Sequence, residues 1–219
     1  MGRARVGFQS IAEFKVRKGY DVSNHEMNSG KKAPTPLGFT GDIAADDLLN
    51  SNSLALLIGM LLDQQFPIER AFIAPFRLQQ RLEQTLEAKT IASLSSDAML
   101  EIFTEKPALH RFPKSMAERT HALCVYITKY YDGNPGTIWK GISDAEALKS
   151  RLLDLPGFGN KKVEIFMAVL AKRFGVAPEG WEKISGQYAE PGFHSVADLD
   201  SPEALAQLRA LRDKSRKAK

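Results

Sequence analysis

A short turn containing two glycines is the part of the chain whose residue types first suggest chemistry. Residues 152–166 read LLDLPGFGNKKVEIF, with Gly157 and Gly159 on either side of Phe158. Both glycines are expected to allow positive φ angles, and Asn160 is expected to cap the next helix. Such a turn directs backbone N–H groups toward one point at a helix N-terminus, a geometry that binds phosphate. An ordinary corner between two helices is the alternative interpretation.

The phrase LPGFG at residues 155–159, followed by Lys161, resembles the hairpin of the helix-hairpin-helix DNA glycosylase superfamily. That superfamily includes endonuclease III and the 3-methyladenine glycosylases. Its hairpin grips the DNA strand that carries the lesion, often with a monovalent cation between the hairpin carbonyls and a phosphate. The resemblance covers roughly residues 54–183. It implies double-stranded DNA with a damaged or mismatched base as the partner, and it implies these DNA-binding residues in the hairpin: Gly157, Phe158, Gly159 and Asn160.

Two glutamines end the apolar run LALLIGMLLDQQ at residues 54–65. The last five residues of this run resemble the buried early helix of the same superfamily, which ends in LGQQ or LSAQ. A base inside a duplex becomes accessible only when its nucleotide is rotated out, and a side chain that fills the gap offsets part of that cost. The resemblance therefore implies Gln64 or Gln65 as the gap-filling residue. A solvent-facing helix end is the alternative.

Excision of a base also needs a carboxylate, because the glycosidic bond breaks through an oxocarbenium-like state. The superfamily has an aspartate there, after a loop rich in glycine and proline. Counting the family's 18 residues from Lys161 gives Glu179, whereas alignment on the Phe-Gly pair at 174–175 gives Glu182. Both glutamates are candidates, and an exposed loop carboxylate is the alternative for each. Trp181 lies between them and is expected to line the base pocket.

The adjacent lysines leave the type of reaction open. Lys161 and Lys162 point about 100° apart on a helix, so they face different surroundings. Either lysine is a candidate to attack the sugar or to contact DNA. Register with the family phrase favours Lys161, whereas Lys162, one turn before Phe166, is expected to face inward. A lysine nucleophile gives a Schiff base and a bifunctional glycosylase/lyase. If both lysines only bind phosphate, the enzyme is monofunctional, which is slightly favoured.

Two other classes of protein remain as alternatives to a base excision repair glycosylase. The first is a non-catalytic DNA-binding module that keeps the hairpin after losing the catalytic aspartate. The second is a helical interaction protein in which the hairpin is purely structural.

The elements that position these residues are all predicted to be helical. Ser95 or Ser96 and Ser143 or Asp144 are candidate caps, and no segment shows the sustained alternation of a strand. The fold class is therefore all-α, and the resemblance implies a glycosylase-like bundle of two closely packed helical subdomains. Helices are predicted at these positions: from about 42, 54–65, from 68, 96–103, 114–131, 144–154, 160–173 and 201–216.

Composition sets the remaining limits. The 219 residues carry a net charge of +4, but residues 1–36 hold +4 and residues 209–219 hold +5, so residues 37–208 sum to −5. We therefore expect a basic, mobile N-terminal extension at 1–36, a helical domain at 37–208 and a basic tail at 209–219. The single cysteine, Cys124, is incompatible with an iron–sulfur cluster of the family type, and no metal site is expected. No membrane span or export signal is apparent, so a cytoplasmic location is expected.

Overall fold

A computed structural model describes residues 34–217, so the predicted extension at 1–36 lies almost entirely outside the described residues. Within residues 34–217 the chain forms ten α-helices, three short 3-10 helices and no β-strand, which confirms the all-α prediction. The 3-10 helices are Pro135–Ile138, Gly186–Tyr188 and Val196–Asp198. The α-helices are α1 (Ile43–Ser51), α2 (Ser53–Leu62), α3 (Ile68–Leu82), α4 (Ala88–Ala92), α5 (Ser96–Thr104), α6 (Pro113–Tyr131), α7 (Ala145–Leu153), α8 (Asn160–Phe174), α9 (Trp181–Ser185) and α10 (Pro202–Lys217).

Helix α2 lies at the centre of the core, as its nearly uninterrupted apolar sequence predicts. Every residue from 54 to 62 is buried, and α2 contacts α1, α3, α6 and α8. The Asn52 side chain starts the helix by accepting hydrogen bonds from the N–H groups of Leu54 and Ala55. The helix ends at Leu62, three residues earlier than predicted. The two glutamines therefore lie in a turn beyond α2, in which Gln65 has a positive φ of 51°.

Side-chain caps decide the ambiguous helix starts. The Ser95 hydroxyl accepts a hydrogen bond from the N–H of Ala98, so Ser95 rather than Ser96 caps α5. The Asp144 carboxylate accepts one from the N–H of Ala147, so Asp144 rather than Ser143 caps α7. Each cap satisfies one of the N–H groups that the first helical turn leaves without a partner.

The described part of the basic tail, residues 209–217, is helical, in agreement with the helix predicted at 201–216. Helix α10 continues to Lys217, so the boundary proposed at residue 208 falls inside a helix. Ala204, Leu205 and Leu208 bury one side of its first two turns. Arg209 then forms an ion pair with Glu69 of α3, with 2.6 Å between Nη2 and Oε2. These contacts hold the first turns of α10, including Arg209, against the protein body. In residues 34–217 no helix combines the length and apolar character that a bilayer crossing requires.

Candidate functional site

The turn between α7 and α8 packs directly on the end of α2. Gly157 has a φ of +83°, and a Cβ atom there would overlap Cδ1 of Leu61 in α2. Position 157 therefore requires glycine both for its backbone conformation and for its packing. The turn closes through a 3.0 Å hydrogen bond from the N–H of Phe158 to the carbonyl of Leu155. This arrangement joins two of the segments on which the family resemblance rests.

Gly159 and Asn160 differ from what the sequence predicts. Gly159 has a φ of −106°, so the prediction of a positive φ at both glycines is wrong for this residue. Gly159 is itself the N-cap of α8, and Asn160 is the first residue of the helix rather than its cap. No other atom lies within 4 Å of the position that a Cβ at Gly159 would take. The N-terminus of α8 therefore opens onto free space.

Phe158 anchors the turn from the inside. Its side chain is buried, and its ring packs edge-on against Phe166 with 5.9 Å between centroids. Its N–H is used by the bond to Leu155. The side chain and the N–H group of Phe158 are therefore both engaged within the protein, where the residue positions its neighbours, and its expected contact with DNA stays a prediction.

The two lysines at the start of α8 have different surroundings. Lys161 is exposed beside the open N-terminus, whereas Lys162 is partly buried and reaches the end of α2. The Lys162 Nζ donates hydrogen bonds to the carbonyl oxygens of Met60 at 2.6 Å, Leu61 at 3.0 Å and Asp63 at 3.2 Å. The inward orientation predicted for Lys162 is thus confirmed. These carbonyls are among those that a helix end leaves without partners, so the lysine caps α2.

Burial, opposed by the Asp63 carboxylate and assisted by the nearby charge of Arg119, lowers the pKa of Lys162 to about 8. All three N–H bonds of the ammonium are engaged by carbonyl oxygens. Hydrogen bonds to the charged form favour that form. Lys162 therefore holds its proton in a structural contact.

The glutamines also separate into two environments. The Gln64 Nε2 donates to the carbonyl of Leu61 at 3.0 Å and lies 3.4 Å from the sulfur of Met116, and its Oε1 accepts from Nη1 of Arg119 at 3.0 Å. Gln64 therefore joins the end of α2 to α6. The Gln65 side chain is exposed, while its carbonyl accepts a 3.2 Å hydrogen bond from Nη1 of Arg111. Gln65 is the glutamine whose side chain is free to reach a ligand.

A cleft of about 710 Å³ lies beside Gln65, between the end of α2, the start of α3 and α10. Asp63 and Gln65 line it on one side. Its other wall contains four arginines, three of which lie on one face of α10 because they are three, four and seven residues apart. The arginines are Arg111, Arg209, Arg212 and Arg216.

Sequence reasoning missed Asp63 and this basic wall. Burial raises the pKa of the Asp63 carboxyl, and the positive charges of Lys162 and Arg212 oppose that shift. In residues 34–217 its carboxylate forms no ion pair and no hydrogen bond. A signal was present, since an acidic residue directly follows a helix that is otherwise almost entirely apolar.

Glu179 and Glu182 lie elsewhere. Glu179 is exposed, and its backbone pairs with the start of α7 through hydrogen bonds to Ser143 and Ala145 of 2.8 and 3.1 Å. It lines a different cleft, of about 730 Å³, together with Trp139. Glu182 is exposed in the first turn of α9.

Helix geometry separates α9, which carries Glu182, from Lys162. Helix α9 packs on the side of α8 that carries Asn160 and Glu164, where Lys183 and Ile184 share a groove with them. Lys162 is two residues from each of Asn160 and Glu164, which places it about 160–200° around the helix from that side. The structure therefore brings together the hairpin, the glutamines and Lys162, but not either glutamate. Trp181 is partly buried against the core and lines neither large cleft.

Comparisons with protein-family models, with curated proteins and with solved structures find no match to this chain. The functional conclusion therefore depends on the residues and their geometry.

Proposed function

We propose that this protein is a DNA glycosylase of the helix-hairpin-helix type, which rotates a damaged or mismatched base out of a duplex and hydrolyses its N-glycosidic bond. The observation that supports this proposal most is the contact between the α7–α8 turn and the end of α2. Gly157 packs on Leu61, and Lys162 bonds the carbonyls of that same helix end. The two segments with the family resemblance are thereby joined. The fold that we propose with this function is a helical bundle of two closely packed subdomains.

The open N-terminus of α8 is the proposed clamp for a phosphate of the lesion strand. The N–H groups of its first turn have no intrahelical partners and carry the positive end of the helix dipole. The free space at Gly159 admits a phosphate oxygen, and the exposed Lys161 supplies a nearby charge. Any monovalent cation would be held by carbonyls of the same turn. Gln65 is the proposed gap-filling residue because Gln64 is held by α6.

The proposed reaction is monofunctional. A lysine attacks a sugar through the free electron pair of its neutral amine. The Lys162 nitrogen has no such pair available while it donates to three carbonyls. Borohydride is therefore expected to trap no covalent complex with damaged DNA. A trapped complex that is lost in Lys161→Met would instead assign a lyase activity to Lys161.

A non-catalytic DNA-binding module is the second candidate. The observation that favours it is the exposure of Glu179 and Glu182, the positions that the resemblance implies for the carboxylate. Both candidates predict salt-sensitive duplex binding, because phosphate contacts release counterions. Only the glycosylase predicts release of a base.

Fluorescence anisotropy with a labelled duplex tests the proposed clamp. Gly159→Leu should fold normally, since its φ suits any residue, but its side chain should occupy the phosphate position and weaken binding. Gln187→Leu, an exposed substitution near the end of α9, is the matched control. Unchanged affinity of the Gly159 variant, or absence of salt-sensitive binding by the wild type, would contradict the proposal.

A further inference from the structure

We infer that the cleft between the end of α2 and α10 receives the rotated nucleotide, and that Asp63 is the carboxylate that faces its sugar. This inference rests on the proposed glycosylase function. It assigns the catalytic role to a residue 116 positions before Glu179, in a segment other than the loop that the family resemblance indicates.

Asp63 lies close to Gln65, the proposed gap-filling residue. Asp63 and Gln65 line the same cleft, and two residues of chain span at most about 7 Å. If Gln65 enters the duplex where the base was, the displaced sugar lies within reach of Asp63. Glu182 lies on α9, on the opposite side of α8 from Lys162, and Glu179 lines a separate cleft, so neither has a comparable relation to the glutamine.

The size and the charged residues of the cleft suit a nucleotide. Its volume of about 710 Å³ is within the range of small-molecule sites and can take a nucleotide. The arginines of its wall suit the flanking phosphates. Three acidic residues line it, but Glu69 is paired with Arg209 and Asp213 is exposed on α10. Asp63 is thus the partly buried carboxylate left without an ion pair among the described residues of the cleft.

Asp63 is also held in place. Its backbone carbonyl accepts the Lys162 hydrogen bond of 3.2 Å, and its N–H donates to the carbonyl of Gly59 at 3.1 Å. These bonds fix the position of the Asp63 backbone, which limits the reorganisation that its carboxylate needs to face a charged transition state. Burial raises the pKa of its carboxyl, and the charges of Lys162 and Arg212 reduce this shift without reversing it.

The proposed step is a hydrolysis. The bond between C1′ and the base nitrogen breaks, and its electron pair leaves with the base, which takes a proton from solvent. The positive charge that develops on C1′ and the ring oxygen faces the Asp63 carboxylate. A water molecule then bonds to C1′ and gives its proton to the carboxylate, which returns it to solvent. One water is consumed, and the products are a free base and an abasic site.

Binding of a charged transition-state mimic tests this inference without knowledge of the base. Two duplexes are compared, one with a cationic pyrrolidine in place of the sugar and one with the neutral tetrahydrofuran. The wild type should bind the pyrrolidine duplex at least about tenfold more tightly, since transition-state analogues bind better than substrates. Asp63→Asn should lose this preference but keep its tetrahydrofuran affinity, which also shows that it is folded. Asp63→Glu, which keeps the charge, should retain part of it.

Glu179→Gln and Glu182→Gln are the matched controls and should keep the full preference. If either control loses the preference while Asp63→Asn keeps it, the inference fails and the glycosylase proposal stands. If the wild type shows no preference and releases no base from any damaged duplex, the proposed function fails and the inference fails with it.

Discussion

The Nζ of Lys162 lies 2.6 Å from the carbonyl oxygen of Met60, a residue 102 positions earlier in the chain. This hydrogen bond ties the first turn of α8 to the last turn of the central helix. The proposed phosphate-binding end of α8 and the end of α2 that precedes the two glutamines are thereby held in one position. A glycosylase of the proposed type needs that relation, because the clamp and the gap-filling residue must act on the same stretch of duplex.

Removal of the Lys162 ammonium should destabilise the fold. Lys162→Met leaves three carbonyl oxygens at the end of α2 without their donor, at an expected cost of about 2 kcal/mol in the free energy of unfolding. Lys161→Met is the control, and because Lys161 is exposed its cost should stay within about 0.5 kcal/mol. Urea unfolding followed by circular dichroism measures both. Equal effects of the two variants would contradict the capping role of Lys162.

The two glycines of the turn should respond differently to alanine. Gly157→Ala places a side chain at positive φ and against Leu61, so it should cost about 2 kcal/mol or more. Gly159→Ala meets neither problem and should change the free energy of unfolding by less than about 0.5 kcal/mol. Thermal unfolding of both variants provides the comparison. A loss of stability in Gly159→Ala as large as in Gly157→Ala would contradict the different conformation and packing of these two glycines.

Gln65 should affect the rotated state of the DNA more than Gln64. A duplex with 2-aminopurine opposite or beside the altered base becomes more fluorescent when the base unstacks. We expect Gln65→Ala to reduce this signal at saturating protein, because nothing then fills the gap. Gln64→Ala should mainly lower stability, since its amide joins α2 to α6. Loss of the fluorescence change in Gln64→Ala alone would reverse these roles.

The arginines of α10 should contribute to duplex binding through charge. Arg216→Ala should lower the slope of log affinity against log salt by about 1, which corresponds to one phosphate contact. Lys129→Ala, at the far end of α6, is the control and should leave the slope unchanged. The duplex affinity of both variants is measured over a series of salt concentrations. If Arg216→Ala leaves the slope unchanged as well, the basic wall does not contact DNA.

Features that depend on residues close together in the chain can be predicted from the sequence. Eight of the ten α-helices in residues 34–217 follow from local hydrogen bonding and periodicity, and so does the buried character of α2, whereas α4 and α9 are not predicted. The caps at Ser95 and Asp144 are each predicted only to within two neighbouring residues. The differences arise where distant segments meet. Position 157 requires glycine because a Cβ there would overlap Leu61. Lys162 faces inward because it donates hydrogen bonds to carbonyl oxygens about 100 residues earlier in the chain.

The surroundings of Asp63 could not be predicted from the sequence. At the end of an apolar run it looks like an ordinary polar residue, and only the approach of α8 and α10 places it in a basic cleft. The family resemblance instead directs attention to Glu179 and Glu182, because it carries over spacing along the chain. Spacing cannot show on which side of α8 a loop packs.

Release of a base tests the proposed function most directly. Purified protein in excess is incubated with duplexes that each carry one altered base: uracil, thymine opposite guanine, an alkylated adenine, hypoxanthine, an oxidised guanine or an oxidised pyrimidine. Each reaction is analysed with and without alkali, and free base is detected by mass spectrometry. We predict that at least one duplex releases its base and that its strand breaks only after alkali. Salt-sensitive binding without release from any duplex would contradict the enzyme and leave the DNA-binding module.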